Sequence, residues 1–214
     1  MNKMSITSSH EPLLFCFCGP SGSGKSTICS QLANTISSLC LSISTTSRAP
    51  RKNEMDGIHY HFVSREEFQK RVREGEFLEH AEYSGNMYGT EKAAVRRALE
   101  EGNDVLLDID VQGVQHLKDI YGSRCIAIFV HPPSRQELIK RMAGRGTETQ
   151  AAMDLRLKTA DSEIAKLRDA GFSQYLLIND RLEISLQHAQ AIVVAERLRM
   201  SNQTEKHLVD VLGV

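Results

Sequence analysis

Residues 19 to 26 read Gly-Pro-Ser-Gly-Ser-Gly-Lys-Ser, the spacing G-x-x-x-x-G-K-[ST], directly after the apolar run Leu13 to Cys18. A short buried strand that enters a glycine-rich turn and leaves as a helix aims several backbone N–H groups, and the positive end of a helix dipole, at one small volume. That volume suits the phosphates of a nucleotide. Gly19, Gly22 and Gly24 permit backbone angles and close approach that side chains forbid. Lys25 reaches β- and γ-phosphates, the Ser26 hydroxyl is a ligand for Mg²⁺, and Thr27 continues the helix. A glycine-rich turn with a stray lysine is the bland alternative; the eight-residue pattern arises by chance in roughly one chain of this length in a hundred. The flanking strand and helix lower that further.

Composition bounds the reading without choosing it. A chain of 214 residues at 41% hydrophobic buries a sizeable core as one domain with insertions. The net charge of −1 leaves no long basic stripe for nucleic acid. Cys16, Cys18, Cys29, Cys40 and Cys125 are odd in number, lack metal-ligand spacing and fall mostly in apolar segments. They are expected to be reduced, mostly buried thiols in a cytoplasmic protein. No apolar stretch approaches the roughly 20 residues of a membrane span, and Met1 to Pro12 is expected to be a loose polar tail rather than a signal peptide.

Strand-like and helix-like segments alternate as in an α/β protein. Leu13 to Cys18, Leu39 to Ile43, His59 to Val63, Phe77 to Tyr83, Val105 to Ile109, Cys125 to Val130 and Tyr175 to Ile178 read as strands. Helices are expected at Lys25 to Ser38, after the capping pair Ser64/Glu67, at about Glu91 to Glu101, after Ser134/Glu137, at Gln150 to Asp169 and at Leu182 to Met200. The Gly144 to Thr149 break is a natural place for a mobile lid. Ser201 to Val214 is not decoded.

The stretch between the second strand and Val105 reads as an insertion rich in phosphate-binding residue types. Arg48 and Arg51 lie three apart, and two guanidinium forks grip a phosphate dianion bidentately as lysine does not. Tyr60 and Tyr88 offer hydroxyl donors to the same group. Taken singly, each is more often a surface charge or a packing residue; it is their joint occurrence beside a phosphate loop that counts. Leu106-Leu107-Asp108-Ile109-Asp110 ends a buried strand with two carboxylates on one face, which need a metal, an arginine or a substrate donor as partner.

Seven separated motifs, in order, resemble the guanylate kinase family over about Leu13 to His188. They are the loop Gly19 to Thr27, Ser44 to Arg51, Gly57 to Phe62, Phe77 to Glu79, Gly85 to Thr90, Leu107 to Gly113, and Gly144 to Glu148. The resemblance implies a P-loop NTPase-type α/β fold, a parallel β-sheet core flanked by helices with a small GMP-binding α+β insertion and a helical lid. Residues 11–43, 104–133 and 170–200 would form the core, 44–103 the GMP-binding region and 134–169 the lid.

It further implies ATP:GMP phosphotransfer, with ATP and Mg²⁺, serving purine nucleotide metabolism and GMP recycling. The substrates would be ATP and GMP or dGMP, with no nucleic acid or membrane partner, in a monomer or weak homo-oligomer. Gly19, Pro20, Ser21, Gly22, Ser23, Gly24, Lys25, Ser26, Thr27 and Arg145 would hold ATP, with Ser26 on the metal and Asp108 close by, through water. Arg48, Arg51, Tyr60 and Tyr88 would bind the GMP phosphate. Glu79 would accept from guanine N1–H and the exocyclic amine, a pair of donors adenine lacks, and would go unpaired against the wrong base. Ser44, Thr90 and Asp110 would complete the guanine contacts. Arg141, Arg145 and Arg156 would swing over the transferring group, where charge neutralisation is the main catalytic device; Lys25, Arg48, Arg145, Arg156 and Asp108 form the expected catalytic set. For the lid arginines the plain alternative is surface charge paired with Glu148 or Asp154. Asn179-Asp180 resembles the segment near the adenine site.

Departures from the family pattern are mild: Met87 stands where tyrosine is frequent and Thr90 where serine or threonine is accepted. A non-catalytic guanylate-kinase-like module that binds phosphorylated peptides is the competing reading, which the intact Lys25 and Ser26 disfavour. Glu79 and Ser44 speak against a kinase for another acceptor, and the absence of an Asn-Lys-x-Asp motif against a GTPase.

Overall fold

Strand β1 (Leu14–Cys18) is buried at every residue and lies at the centre of a five-stranded parallel sheet. In the computed structural model, which describes residues 9–83, 85–143, 150–170 and 173–213, its neighbours are β7 (Asp104–Asp108) and β8 (Cys125–His131). The outer strands are β2 (Leu39–Leu41), beside β7, and β9 (Tyr175–Ile178), beside β8. Alternate side chains leave a strand on opposite faces, and a parallel strand sandwiched by helices is apolar on both. Phe15 and Phe17 accordingly pack with Ile28 and Leu32 in one core layer. Leu14, Cys16 and Cys18 pack with Val105, Leu107 and Val114 in the other.

Helix α1 (Lys25–Thr35) follows β1 through the glycine-rich turn and covers the first layer together with α7 (Leu182–Leu198). Its end, three residues before the expected Ser38, precedes a left-handed residue, Ser38 at φ 55°. Helix α4 (Val111–Tyr121) covers the second layer. It begins where the expected strand was read to end: Asp110 caps it, accepting from Gly113 N at 2.7 Å.

A second, four-stranded sheet has the order β4 (His61–Phe62), β3 (Thr45–Thr46), β6 (Asn86–Glu91), β5 (Phe77–Tyr83). The β5–β6 hairpin is the antiparallel scaffold on which the insertion is built. Two further helices bracket the β5–β6 hairpin in sequence. In α2 (Arg65–Arg73) the expected cap is present, Ser64 Oγ accepting from Glu67 N at 3.1 Å. Helix α3 (Lys92–Glu100) returns the chain to β7.

After β8 come α5 (Arg135–Ala143) and α6 (Gln150–Ala170). Ser134 Oγ caps the former from Glu137 N at 3.1 Å. Residues 144–149 lie outside the described residues, and with them the expected Arg145 contact and the Gly144 to Thr149 break.

One expectation is corrected. His10 to Pro12 is not loose: His10 bridges Gln203 and its Nε2 lies 2.9 Å from Asp104 Oδ1. The undecoded tail contains a last helix, α8 (Glu205–Leu212), capped by Thr204. All five cysteines are free thiols; four are buried, whereas Cys40 is exposed on edge strand β2. Among the described residues no helix is long and apolar enough to cross a membrane.

Candidate active site

The carboxyl ends of β1 and β7 open into a cleft of about 250 Å³ that faces the small sheet. Binding clefts in open parallel sheets form at this edge, where connections diverge. The glycine-rich turn forms one wall. Helix α1 starts at Gly24, whose φ of +93° puts an added Cβ 2.2 Å from Asn179 Nδ2. Glycine there lets Asn179 reach across and donate to Ser23 O at 2.7 Å, so a residue at the end of β9 pins the turn. Lys25 Nζ arches back over the loop and donates to Gly19 O at 2.5 Å and Pro20 O at 3.3 Å. Ser26 Oγ donates to Asp108 Oδ2 at 2.5 Å, joining the first turn of α1 to the end of β7.

The opposite wall comes from the insertion. The Arg48 guanidinium donates from Nη2 to Glu54 Oε1 at 2.9 Å and lies 5.5 Å from the Tyr60 ring centroid. Burial opposes its charge, but the hydrogen bonds to Glu54 and Tyr88 prevail and hold its pKa above the ordinary value. Arg51 shares Glu54 at 3.7 Å, with its own side chain 62% exposed. Tyr60 and Tyr88 meet edge to face at 6.0 Å. Burial, reinforced by Asp108, raises the Tyr60 hydroxyl to about 12, so it remains a donor throughout the neutral range.

Glu79, on β5, closes the far end. Only 9% exposed, it accepts from Thr90 Oγ1 at 2.6 Å across the hairpin. Burial raises its pKa to about 7, Thr90 opposes the shift, and Asp110 adds to it. Gly113 makes room: a Cβ there would lie 3.0 Å from Glu79 Oε2.

The expected residues Gly19, Ser21, Gly22, Gly24, Lys25, Ser26, Thr27, Ser44, Arg48, Arg51, Tyr60, Glu79, Tyr88, Asp108 and Asp110 all border this one cleft. Thr90, Pro20, Ser23, Arg141 and Arg156 do not. Thr90, fully buried, stands behind Glu79 as its donor. Pro20 and Ser23 contribute backbone, with Ser23 N bonded to Pro20 O at 3.1 Å.

Arg156, on α6, reaches the loop and donates to Ser21 Oγ at 2.6 Å. Arg141 points elsewhere, donating to Glu137 and to the Asn179 carbonyl at 2.8 Å. It thereby pairs with Glu137 on its own helix. Ala81, Gly89, Ile109 and Glu163 border it without having been expected there; of these only Glu163, also on α6, is charged. Its signal was the seven-residue spacing from Arg156, two helical turns along the same face.

A glycine-rich loop of phosphate-binding spacing, a lysine at the start of its helix, and a facing wall of arginines, tyrosines and a buried carboxylate define the site of a P-loop nucleotide-handling protein with a second polar pocket. The comparisons narrow the class. The Guanylate kinase family model matches residues 12–196. The chain is 41% identical over 189 residues to the guanylate kinase of Clostridioides difficile strain 630, covering 88% of this chain and 90% of that one. It is also 41% identical over 194 residues to the guanylate kinase of Saccharophagus degradans, covering 91% and 93%. The crystal structure of guanylate kinase from Anaplasma phagocytophilum superposes with a TM-score of 0.75 at 28% identity, covering 97% of this chain and 98% of that one. The chain belongs to the guanylate kinase family of nucleotide-phosphorylating enzymes.

Proposed function

We propose that the chain transfers the γ-phosphoryl group of ATP to the phosphate of GMP, and of dGMP, releasing ADP and the guanosine diphosphate. The observation that carries this reading is the single cleft in which the phosphate loop faces Glu79 across Arg48 and Tyr60. The loop amides and Lys25 bind the donor phosphates, Lys25 exchanging the Gly19 and Pro20 carbonyls for phosphate oxygens. Arg48, Arg51, Tyr60 and Tyr88 hold the acceptor phosphate in line. Glu79 pairs with guanine N1–H and the exocyclic amine, with Thr90 fixing its orientation and Ser44 and Asp110 beside it.

Ser26 and Asp108 present hard oxygen donors 2.5 Å apart at the strand edge, a set that fits Mg²⁺ completed by phosphate oxygens. Bound there, the ion supplies charge neutralisation for the phosphates. Arg156, and Arg145 outside the described residues, add positive charge when residues 134–169 close as a lid over the 44–103 region. Closure also excludes the water that would hydrolyse ATP.

The test is ADP release from ATP and Mg²⁺ with GMP, dGMP, AMP, UMP, CMP or no acceptor, and Lys25→Ala as a folded control lacking turnover. Release is expected with the guanine monophosphates only. Turnover with another base instead would sink the Glu79 assignment. GMP binding without turnover by folded wild type would favour the phosphopeptide-binding module.

A further inference from the structure

Glu163 is a charged residue bordering the cleft whose chemistry the proposed reaction leaves unused. Its Oε2 is buried and has no hydrogen-bond partner. A buried acceptor without a donor is costly, so such an oxygen points to a donor supplied in another state of the protein. Neither nearby cation fills that need. Lys25 is turned onto the Gly19 and Pro20 carbonyls, and Lys166 makes no hydrogen bond to Glu163 Oε2. Glu163 shares a helix face with Arg156, which lies over the phosphate loop. It also borders a second, adjoining recess with Asp110, and its carboxylate feels both Lys25 at the phosphate end and Asp110 at the base end, which puts it between the two.

We infer that Glu163 accepts a hydrogen bond from a ribose hydroxyl of the acceptor nucleotide and makes the enzyme favour the ribonucleotide over its deoxy form. The inference rests on the GMP reading above. It follows from an inventory of donors. In GMP the hydrogen-bond donors are guanine N1–H, the exocyclic amine and the two ribose hydroxyls. Glu79, with Asp110 beside it, takes the base donors at one end. The phosphate at the other end is an acceptor that a carboxylate repels. A carboxylate midway therefore meets the sugar. Burial, together with Asp110, raises the pKa of Glu163, while Lys25 lowers it; a hydroxyl donor would favour its charged form. Because Glu163 rides on the same helix as Arg156, recognition of the sugar and delivery of that cation are one movement.

The experiment compares kcat/KM for GMP, 2′-deoxy-GMP and 3′-deoxy-GMP at saturating ATP in wild type, Glu163→Gln and Glu163→Ala. A hydrogen bond to a charged acceptor predicts that wild type uses one deoxy acceptor about tenfold less well than GMP. The analogue that suffers identifies the hydroxyl. In Glu163→Ala this preference should vanish through loss on GMP and on the deoxy analogue that keeps the contacted hydroxyl, with no further loss on the other; Glu163→Gln, which retains a neutral acceptor oxygen, should keep part of it and secures the test if the alanine variant does not fold. Equal use of all three acceptors by wild type, or an equal loss on all three in both variants, would overturn the inference. If wild type phosphorylates no guanosine monophosphate, it is the acceptor assignment that has failed.

Discussion

Burial and the neighbouring Asp110 raise Glu79 to about 7, whereas pairing with two guanine donors requires its anion. Below that pH the free enzyme carries a protonated Glu79, so kcat/KM for GMP should fall, approaching tenfold per pH unit, while Glu79→Gln should lose this limb along with its base selectivity. The limb should move to lower pH in Asp110→Asn, because a like charge is removed. Stability runs the other way. The unfolded carboxyl ionises near its ordinary 4.5 and the folded one at about 7, so between these values the folded state binds the extra proton. Stability from this group is full below the lower pKa and is lost as pH rises to the upper, by on the order of 3 kcal/mol at most. Thermal midpoints measured from pH 4 to 8 should therefore rise in Glu79→Gln relative to wild type only toward the alkaline end.

At the level of elements, the site depends on where short segments end. Gly113 lies in the first turn of α4 against Glu79. Gly113→Ala places a methyl 3.0 Å from Oε2 and should raise the KM for GMP about tenfold with little change in the KM for ATP, as steady-state kinetics with each substrate varied would register. The phosphate loop, β5, β9 and the two serine-capped helices were legible in the sequence because their signals are local: an apolar run, a fixed glycine spacing, a side chain three residues from the N–H it caps. Helix α4 was not, since Asp110 was taken as a strand end although it is the helix cap, and Gly113 masks the Val111, Val114 and Leu117 spacing. Strands β3 and β6 carry no alternating pattern; they exist because Thr45 and Thr46 pair with Gly89 and Tyr88 across the insertion. Likewise, that Arg156 rather than Arg141 reaches the phosphate loop is decided by tertiary packing alone.

Across the whole molecule, Asp104 ties distant parts of the chain together. Fully buried, its carboxylate accepts from Leu13 N at 2.8 Å and Arg197 Nε at 2.7 Å, with His10 at 2.9 Å. Arg197 in turn donates to the Ser37 and Ser38 carbonyls. Arg197→Ala strands a buried charge and should cost about 3–5 kcal/mol in urea unfolding, whereas Asp104→Asn with Arg197→Met should cost less than the sum of the single changes. The same long reach governs assembly of the nucleotide loop. Leu14 pairs with Val105 and Cys125, and Ser23 is held by Asn179, 156 residues further on. Strand β1 must wait for partners made much later, a topology of high contact order and slow closure. Phosphate affinity should therefore report that synthesis has passed Asn179: a nascent polypeptide halted before it would carry the entire glycine motif and still lack the clamp that shapes it.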